Sequence, residues 1–333
     1  MVEMWRGGLL ESAHTGHGVI CDGTGAVVQA WGDPGLVILP RSSCKMVQAL
    51  PLVESGAAAG LSSRQLALAC ASHQGAEQHV DAVSQWLADL GLGDGDLRCG
   101  PEVSRDKDLK LAMIRAQIAP CQVHNNCSGK HVGFLTLARH LKAGPEYVDP
   151  AHPVQVAVRA TYEEVTGLDS PGFGIDGCSA PNFATTVQGL AHAMARFAVA
   201  GRGSGARDRA MVRLREAMME HPEMVAGEGC ACTELMRAMG GRAAIKTGAE
   251  GVFVAILPDL GLGVALKIVD GATRASECAT TAILVALGLL DAEHPATKRR
   301  LGAVTVNRAG LAVGSVEKAR GFCEGRLGSG LNG

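Results

Sequence analysis

Strand-like patterns occur near both ends of the 333-residue chain, and helix-like patterns fill the middle. Short apolar runs at 17–20 and 27–31 flank the turn sequence DGTG, which predicts a β-hairpin. After residue 240 the segments AAIKT, VFVAIL and GVALKIVD predict three consecutive strands. Strands so far apart in the chain can form one sheet only if the region between them is an insertion.

The middle of the chain is predicted to be mainly helical, because apolar residues recur there at helical spacing with Gly and Pro between the segments. The predicted helices are 62–71, 78–90, 128–141, 153–166, 183–199, 206–220, 231–239 and, after the last strand, 272–290. We therefore predict an α+β or α/β fold with a mixed, mainly antiparallel sheet from 1–60 and 240–333. A mainly helical part at 61–239 completes one compact catalytic unit, and the Gly-rich tail from about 320 is predicted to be disordered.

The stretch Leu36–Gly56, LVILPRSSCKMVQALPLVESG, holds the most informative pair of polar residues. It predicts an apolar strand, a turn, and a helix that is apolar on nearly every side and kinked at Pro51. Ser42 and Lys45 lie three residues apart where that helix begins, so they share a helix face. An amine that has lost its proton can activate a neighbouring hydroxyl as a nucleophile.

The S-x-x-K pattern by itself is a weak indication of a nucleophile. Average residue usage gives about one match by chance in a chain of this length, and the sequence holds three, at Ser42–Lys45, Ser104–Lys107 and Ser315–Lys318. The second lies in a charged run and the third near the C-terminus, and we interpret both as solvated. Only the first lies between an apolar strand and an apolar helix, where burial favours a neutral amine.

Two more segments extend this motif. S-x-x-K is joined by S-D-N and K-T-G in penicillin-binding and β-lactamase enzymes, and a literal K-T-G occurs at Lys246–Gly248. Ser72, in ASHQGAEQH, would take the S-D-N position, although His73 and Gln74 replace the last two residues. A lysine at 246 can hold a substrate carboxylate, or keep another lysine neutral through like-charge repulsion.

Two polar clusters contain cysteines. HNNCSGKHVGFL at 124–135 holds Asn126, Cys127 and Lys130, and IDGCSAPNF at 175–183 holds Asp176 and Cys178. Zinc favours sulfur and nitrogen ligands, so the two cysteines with their neighbours are candidates for a metal site. Neither stretch contains C-x-x-C or H-x-x-x-H, and spacing alone favours a pair of buried structural thiols.

Composition excludes several classes of function. The net charge is −2 and no basic block occurs, which argues against nucleic-acid and anionic-membrane partners. No apolar run reaches the roughly 18 residues that a membrane span needs. The N-terminal MVEMWRGG lacks the pattern of a secretory signal, and the eleven Cys then indicate reduced thiols in the cytoplasm.

Side by side, these stretches resemble the L-asparaginases of the Rhizobium etli type, also called the asparaginase II family. The matching stretches run in order over most of the chain: LPRSSCKMVQALPLVESGA, ASHQG, NNCSGKHVGFL, DGCSAPNFA, HPEMVAG, KTGAEGV and LGVALKIVDGATRA. The resemblance implies a serine β-lactamase-like fold, a homodimer and hydrolysis of L-asparagine. Departures are modest: Ser179 replaces a common Gly, and Cys230 and Cys232 stand where many members carry Arg and Asp.

The resemblance also implies roles for single residues. Ser42 is the expected nucleophile with Lys45, and Ser72 forms a second pair with Lys246. Zinc is the expected cofactor, because two thiols and an amine match a zinc site next to the substrate: Cys127, Lys130 and Cys178. The expected substrate contacts are Arg41, His73, Asn126, Lys130 and Asp176.

The expected reaction begins when Lys45, kept neutral by burial and by a Lys246 ammonium, takes the proton of Ser42. Ser42 then attacks the side-chain amide of L-asparagine, and backbone N–H groups at the start of its helix stabilise the oxyanion. One alternative is another Ser–Lys amidohydrolase, a glutaminase or a penicillin-recognising enzyme, although the latter is usually exported. Another is a non-catalytic zinc- or ligand-binding protein of the same fold, which the two intact Ser–Lys pairs disfavour.

Overall fold

The computed structural model describes residues 1–201 and 205–324, so the predicted tail lies outside the described residues from 325 onward. The strands are β1 Val2–Arg6, β2 Leu9–His14, β3 Gly16–Asp22, β4 Val27–Trp31, β5 Val37–Ile38, β6 Phe173–Ile175, β7 Pro181–Phe183, β8 Thr185–Thr186, β9 Ala244–Thr247, β10 Val252–Leu257, β11 Leu262–Ile268, β12 Ala303–Val306 and β13 Ala312–Lys318. The helices are α1 Lys45–Gln48, α2 Leu50–Glu54, α3 Ser63–Ala69, α4 Glu77–Asp89, α5 Lys107–Ala116, α6 Ser128–His140, α7 Pro153–Thr166, α8 Val187–Val199, α9 Ala206–Glu220, α10 Pro222–Val225, α11 Ala231–Ala238, α12 Thr273–Ala286 and α13 Pro295–Lys298.

The two larger sheets combine strands from both ends of the chain. A five-stranded sheet has the order β4-β3-β11-β10-β9, and a four-stranded sheet has the order β12-β13-β1-β2. Every strand pair within the described residues is antiparallel, so the predicted mixed sheet is in fact two antiparallel sheets. The predicted α+β class, with helices between two groups of strands, is confirmed. The division at residues 60 and 240 stays a prediction.

Helix α8 lies close against the five-stranded sheet because Gly263 in β11 has no side chain. A Cβ at this position would lie 2.1 Å from the backbone N of Ala195 and 2.3 Å from the carbonyl oxygen of Ala191, both in α8. The same helix packs on β3 and β10, and α12 also packs on β10 and β11. These helices hold in place the sheet whose last strand, β9, carries Lys246.

The stretch around Ser42 is more broken than the sequence indicates. Its strand is only β5, and a 3-10 turn at Arg41–Cys44 precedes α1. The predicted kink falls at Ala49, between α1 and α2, and Pro51 occupies the first turn of α2, where a missing N–H is harmless. The predicted helix 183–199 starts only at Val187, because β7 and β8 occupy residues before it.

Candidate active site

A cavity of about 630 Å³ opens between the Ser42 turn, the loop at Ser72, the segment 99–105 and the end of β9. Seven of the sequence-predicted site residues line it: Arg41, Ser42, Ser72, Asn126, Cys127, Asp176 and Cys178. The three predicted lysines are buried outside this lining, and each is at most 3% exposed: Lys45, Lys130 and Lys246. The structure therefore brings predicted site residues from five separate stretches of sequence to one place.

The hydroxyl of Ser72 contacts two buried lysines. Its Oγ lies 3.0 Å from Lys45 Nζ and 2.9 Å from Lys246 Nζ. Lys45 Nζ also donates to the carbonyl of Ala71 at 2.5 Å and lies 3.0 Å from Cys127 Sγ. Three acceptors around Lys45 match the three donors of an ammonium group.

The predicted contact between Ser42 and Lys45 is replaced by this arrangement. No hydrogen bond joins the two side chains in the part of the chain that the structure describes, because Lys45 directs its three donors to Ala71, Ser72 and Cys127. Ser42 is half-buried at the cavity wall with no side-chain partner among the described residues. Catalytic hydrogen bonds are often long in a free enzyme and tighten only with substrate.

Lys246 is the better candidate for a neutral amine. Burial lowers the pKa of Lys246 to about 8 from its usual 10.5, and the charge of Lys45 acts in the same direction, against an opposing effect of Cys232. Lys246 donates to the carbonyl of Thr247 at 2.7 Å, which leaves its lone pair free to accept the Ser72 proton. This assignment is the reverse of the expected one, in which Lys45 is neutral.

Arg41 and Asp176 form an ion pair beside Ser42. Arg41 Nε and Nη2 lie 3.0 and 2.8 Å from Asp176 Oδ1. Burial acts to raise the pKa of Asp176, but the bond to Arg41 and the charge of Lys130 outweigh it and lower the pKa. Asn182, which sequence analysis missed, accepts the backbone N–H of Arg41 at 3.1 Å and so fixes the turn, where Arg41 has φ 53°.

The three predicted zinc ligands lie together. Lys130 Nζ is 3.0 Å from Cys178 Sγ. A hydrogen bond from Cys127 holds the pKa of Cys178 well below its usual value. The charge of Lys130 acts in the same direction, whereas burial acts to raise the pKa. The bond to Cys178 and burial raise the pKa of Cys127 to about 12. Burial acts to lower the pKa of Lys130, but the two sulfurs outweigh it and raise the pKa.

This donor set fits zinc only if Lys130 takes part. Two sulfurs and an amine are the ligand types that zinc accepts. Over residues 1–201 and 205–324, no group of three or more His, Cys, Asp or Glu is placed to hold a metal. A metal here would have to displace the proton of Lys130, so its binding would release protons.

His73, a predicted substrate contact, lies outside the cavity lining. It is fully buried, its Nε2 pairs with Ser128 Oγ at 3.0 Å, and its Nδ1 accepts the N–H of Gly75 at 3.1 Å. Burial lowers the pKa of His73 well below its usual value, which keeps the ring neutral. His73 therefore supports the Ser72 loop from the protein interior and does not line the cavity.

Gly248, the last residue of K-T-G, lets the end of β9 touch the Ser42 turn. A Cβ on Gly248 would lie 2.8 Å from the Pro40 carbonyl oxygen and 3.0 Å from the Ser43 backbone N. Such a contact is closer than real Cβ atoms tolerate, so a side chain there would push the two segments apart. The glycine thus sets how near Lys246 comes to the Ser42 turn.

The family model for L-asparaginase II matches residues 2–318, nearly the whole chain. The chain belongs to the L-asparaginase II family. The resemblance stated from its motifs is confirmed, whereas the family match leaves the mechanism and the preferred substrate open.

Two solved structures show a distant likeness to this L-asparaginase II family member. A protein called Mglu, in its tris and glutamate form, is 14% identical with a TM-score of 0.45, over 86% of this chain and 62% of that one. The chain thus spans less than two thirds of Mglu. A β-lactamase from Mycobacterium bovis is 10% identical with a TM-score of 0.40, over 81% of this chain and 94% of that one. No curated protein matches significantly.

Within residues 1–201 and 205–324, none of the helices has both the length and the apolar character needed to cross a bilayer.

The cavity wall at 99–105 was not predicted from the sequence of this L-asparaginase II family member. Glu102 Oε2 accepts the backbone N–H and Nδ2 of Asn126 at 2.9 and 3.0 Å, and its Oε1 lies 2.6 Å from Arg105 Nη2. The prediction that Ser104 is solvated is wrong, since it is 2% exposed and donates to the Gly75 carbonyl at 2.8 Å. The sequence did contain one signal for this wall, the charged run around the Ser104–Lys107 match, but we interpreted that run as solvent-exposed.

Proposed function

We propose that this chain hydrolyses L-asparagine to L-aspartate and ammonia through a covalent intermediate on Ser42. The observation that carries the proposal is the placement of Ser72 Oγ between two buried lysines, in a cavity that Ser42 also lines. A hydroxyl held between an ammonium and a neutral amine can pass a proton onward. Membership of the L-asparaginase II family supports the choice of amide.

The Arg41–Asp176 pair suits the amino-acid end of asparagine. Both bonds from Arg41 go to Asp176 Oδ1, which leaves Arg41 Nη1 and Asp176 Oδ2 without partners among the described residues. We propose that Nη1 binds the α-carboxylate and Oδ2 accepts from the α-ammonium group. Since Arg41 precedes Ser42 in the chain, a substrate fixed there presents its short side chain to Ser42.

Ser42 Oγ then attacks the side-chain carbonyl carbon, and its proton passes through Ser72 to neutral Lys246. The backbone N–H groups of Ser42 and Ala249 have no partner in the described residues, and both residues line the cavity. These two donors form the proposed oxyanion hole. The proton returns to the leaving nitrogen, ammonia departs, and water hydrolyses the ester to release L-aspartate.

Zinc is the proposed cofactor, held by Cys127, Lys130 and Cys178. When bound, zinc supplies a positive charge that orients and polarises polar groups of the substrate. We expect about one zinc per chain in the purified protein, and at most about a tenth of that after Cys178→Ser, with an unchanged circular dichroism spectrum. Metal content measured by mass spectrometry checks this, with Cys323→Ser as the control; equal zinc in both variants would contradict the assignment.

A homodimer in the cytoplasm remains a proposal that rests on the resemblance and on cysteine usage. All eleven cysteines are free thiols, as a reducing compartment requires. A mass of one chain in sedimentation would contradict the dimer. Disulfide-linked peptides in protein isolated from cells under alkylating conditions would contradict the reducing compartment.

Ammonia release tests the proposed substrate. We expect kcat/KM for L-asparagine to exceed that for L-glutamine by at least about 100-fold, because one extra methylene moves the amide away from a fixed Ser42 while the α-groups stay bound. Nitrocefin serves as the probe for a penicillin-recognising enzyme. Faster release from glutamine, or turnover of nitrocefin without turnover of asparagine, would assign the chain to the alternative class.

A further inference from the structure

The cavity is larger than free L-asparagine needs. That molecule has about nine non-hydrogen atoms and would fill roughly 270 Å³ even at the ~30 Å³ that one water molecule occupies in the liquid. The cavity measures about 630 Å³. More than half of it would therefore stay empty around asparagine, and the lining of that space indicates what else it accepts.

Two separate ion pairs line the cavity. Arg41–Asp176 lies at the Ser42 turn, and Arg105–Glu102 lies on the wall at 99–105. Arg105 uses Nε and Nη2 for Glu102 Oε1, at 2.9 and 2.6 Å, so its Nη1 has no partner among the described residues. Its side chain is 57% exposed, which leaves this donor accessible to a ligand in the cavity.

Side-chain contacts connect Arg105 to the groups that must return a proton to the leaving group. From Ser72 they run through Lys45 Nζ to Cys127 Sγ, and from there to Asn126 Oδ1 at 2.9 Å. Asn126 then donates to Glu102, the partner of Arg105. The departing nitrogen faces the proton-carrying groups, so anything attached to it extends toward this wall.

We propose that the wall is a leaving-group subsite for β-aspartyl dipeptides, with Arg105 Nη1 as the contact for the carboxylate of the leaving amino acid. The inference rests on the proposed function, because the aspartyl part occupies the same Arg41–Asp176 pair. Ser42 Oγ forms a bond to the β-carbonyl carbon, the C–N bond breaks, and the amine leaves with the returned proton. Water then hydrolyses the ester, so one dipeptide and one water give L-aspartate and one amino acid.

The test compares three substrates: L-asparagine, β-L-aspartyl-glycine and β-L-aspartyl methylamide, which lacks the second carboxylate. Aspartate release is measured for the wild type, Arg105→Gln, Arg105→Lys and the matched control Arg237→Gln, whose arginine pairs with Glu228 outside the cavity. We expect Arg105→Gln to lower the ratio of kcat/KM for the dipeptide to kcat/KM for the methylamide by roughly 10- to 100-fold, mainly through KM. Arg105→Lys should restore part of the ratio and Arg237→Gln should leave it unchanged.

Three outcomes would overturn the inference. Hydrolysis of L-asparagine with none of the dipeptide would remove the subsite while leaving the proposed function intact. Equal ratios in the wild type and Arg105→Gln would remove Arg105 from it. Absence of hydrolysis of all three substrates by the folded wild-type protein would instead refute the proposed function, and the subsite with it.

Discussion

Replacing Ser42 with alanine is expected to lower kcat for L-asparagine by at least about 10³-fold, because no other group can form the proposed ester in its place. KM and the melting temperature should change little, since Ser42 is half-buried and its hydroxyl has no partner among the described residues. Steady-state ammonia release gives the rate. Mass spectrometry of protein quenched during turnover should find an aspartyl adduct on the peptide that contains Ser42.

Ser315→Ala is the matched control for this experiment. Ser315 belongs to another S-x-x-K match, but it lies in β13 and its hydroxyl pairs with Glu317 in solvent. We expect wild-type turnover from this variant. Ser42→Ala with turnover within tenfold of wild type, or an adduct on Ser72 instead, would show that the second serine is the nucleophile.

Lys246→Met is expected to lower kcat/KM by about 10²- to 10⁴-fold and to remove a step from the pH profile. The pKa of Lys246 is lowered to about 8, and the neutral amine is the form that accepts a proton. Wild-type kcat/KM should therefore rise about tenfold per pH unit below pH 8 and level off above it. The variant should show no rise with a midpoint near pH 8 in profiles measured between pH 6 and 10.

The same substitution should raise stability, which separates lost chemistry from lost folding. Since the folded pKa is about 8 and the usual value is 10.5, the unfolded chain binds more protons between these values, and wild-type stability rises with pH there. Below pH 8 the full penalty, on the order of 3 kcal/mol, is present. Methionine removes it, so the melting temperature at pH 7 should increase. An unchanged pH profile would contradict the role of Lys246 as the proton acceptor. A lower melting temperature would mean that losing the bonds to Ser72 and Thr247 outweighs the relief of burying a charge.

The exposed lysine at the start of α5 offers a control for both measurements. Lys107→Met also exchanges an amine for a thioether, but at a solvent-exposed position. We expect its pH profile and melting temperature to match the wild type. A change as large as that of Lys246→Met would mean that net charge, rather than the buried amine, controls the rate.

Sequence patterns correctly predicted those parts of the fold that depend on residues close together in the chain. The hairpin of β3 and β4 followed from apolar runs around DGTG, and most helices followed from apolar spacing. The four-stranded sheet was not predicted, because its strands are short and mix exposed with buried residues. Helix α5 was missed as well, since only Met113 in it is buried and its apolar signal is correspondingly weak.

The site shows the same division between local and long-range information. S-x-x-K correctly indicated a buried Lys45 beside a serine, but the serine that it contacts is Ser72, 27 positions away. Such a choice depends on how loops meet after folding, which spacing along one helix does not encode. Glu102 was not predicted for a similar reason. Its place in the site depends on its hydrogen bond with Asn126, and that contact forms only when the cavity folds.

The pairing of β1 with β13 makes the order of synthesis matter. Val2 lies opposite Lys318 in that ladder, and β3 lies opposite β11 in the larger sheet. The N-terminal strands leave the ribosome first, but neither sheet can form until the C-terminal strands have also been synthesised. Until then the unpaired strand edges can associate with other chains. Production of this protein should therefore depend on chaperones that shield a nascent chain, and a premature stop before β11 should yield insoluble material instead of a smaller enzyme.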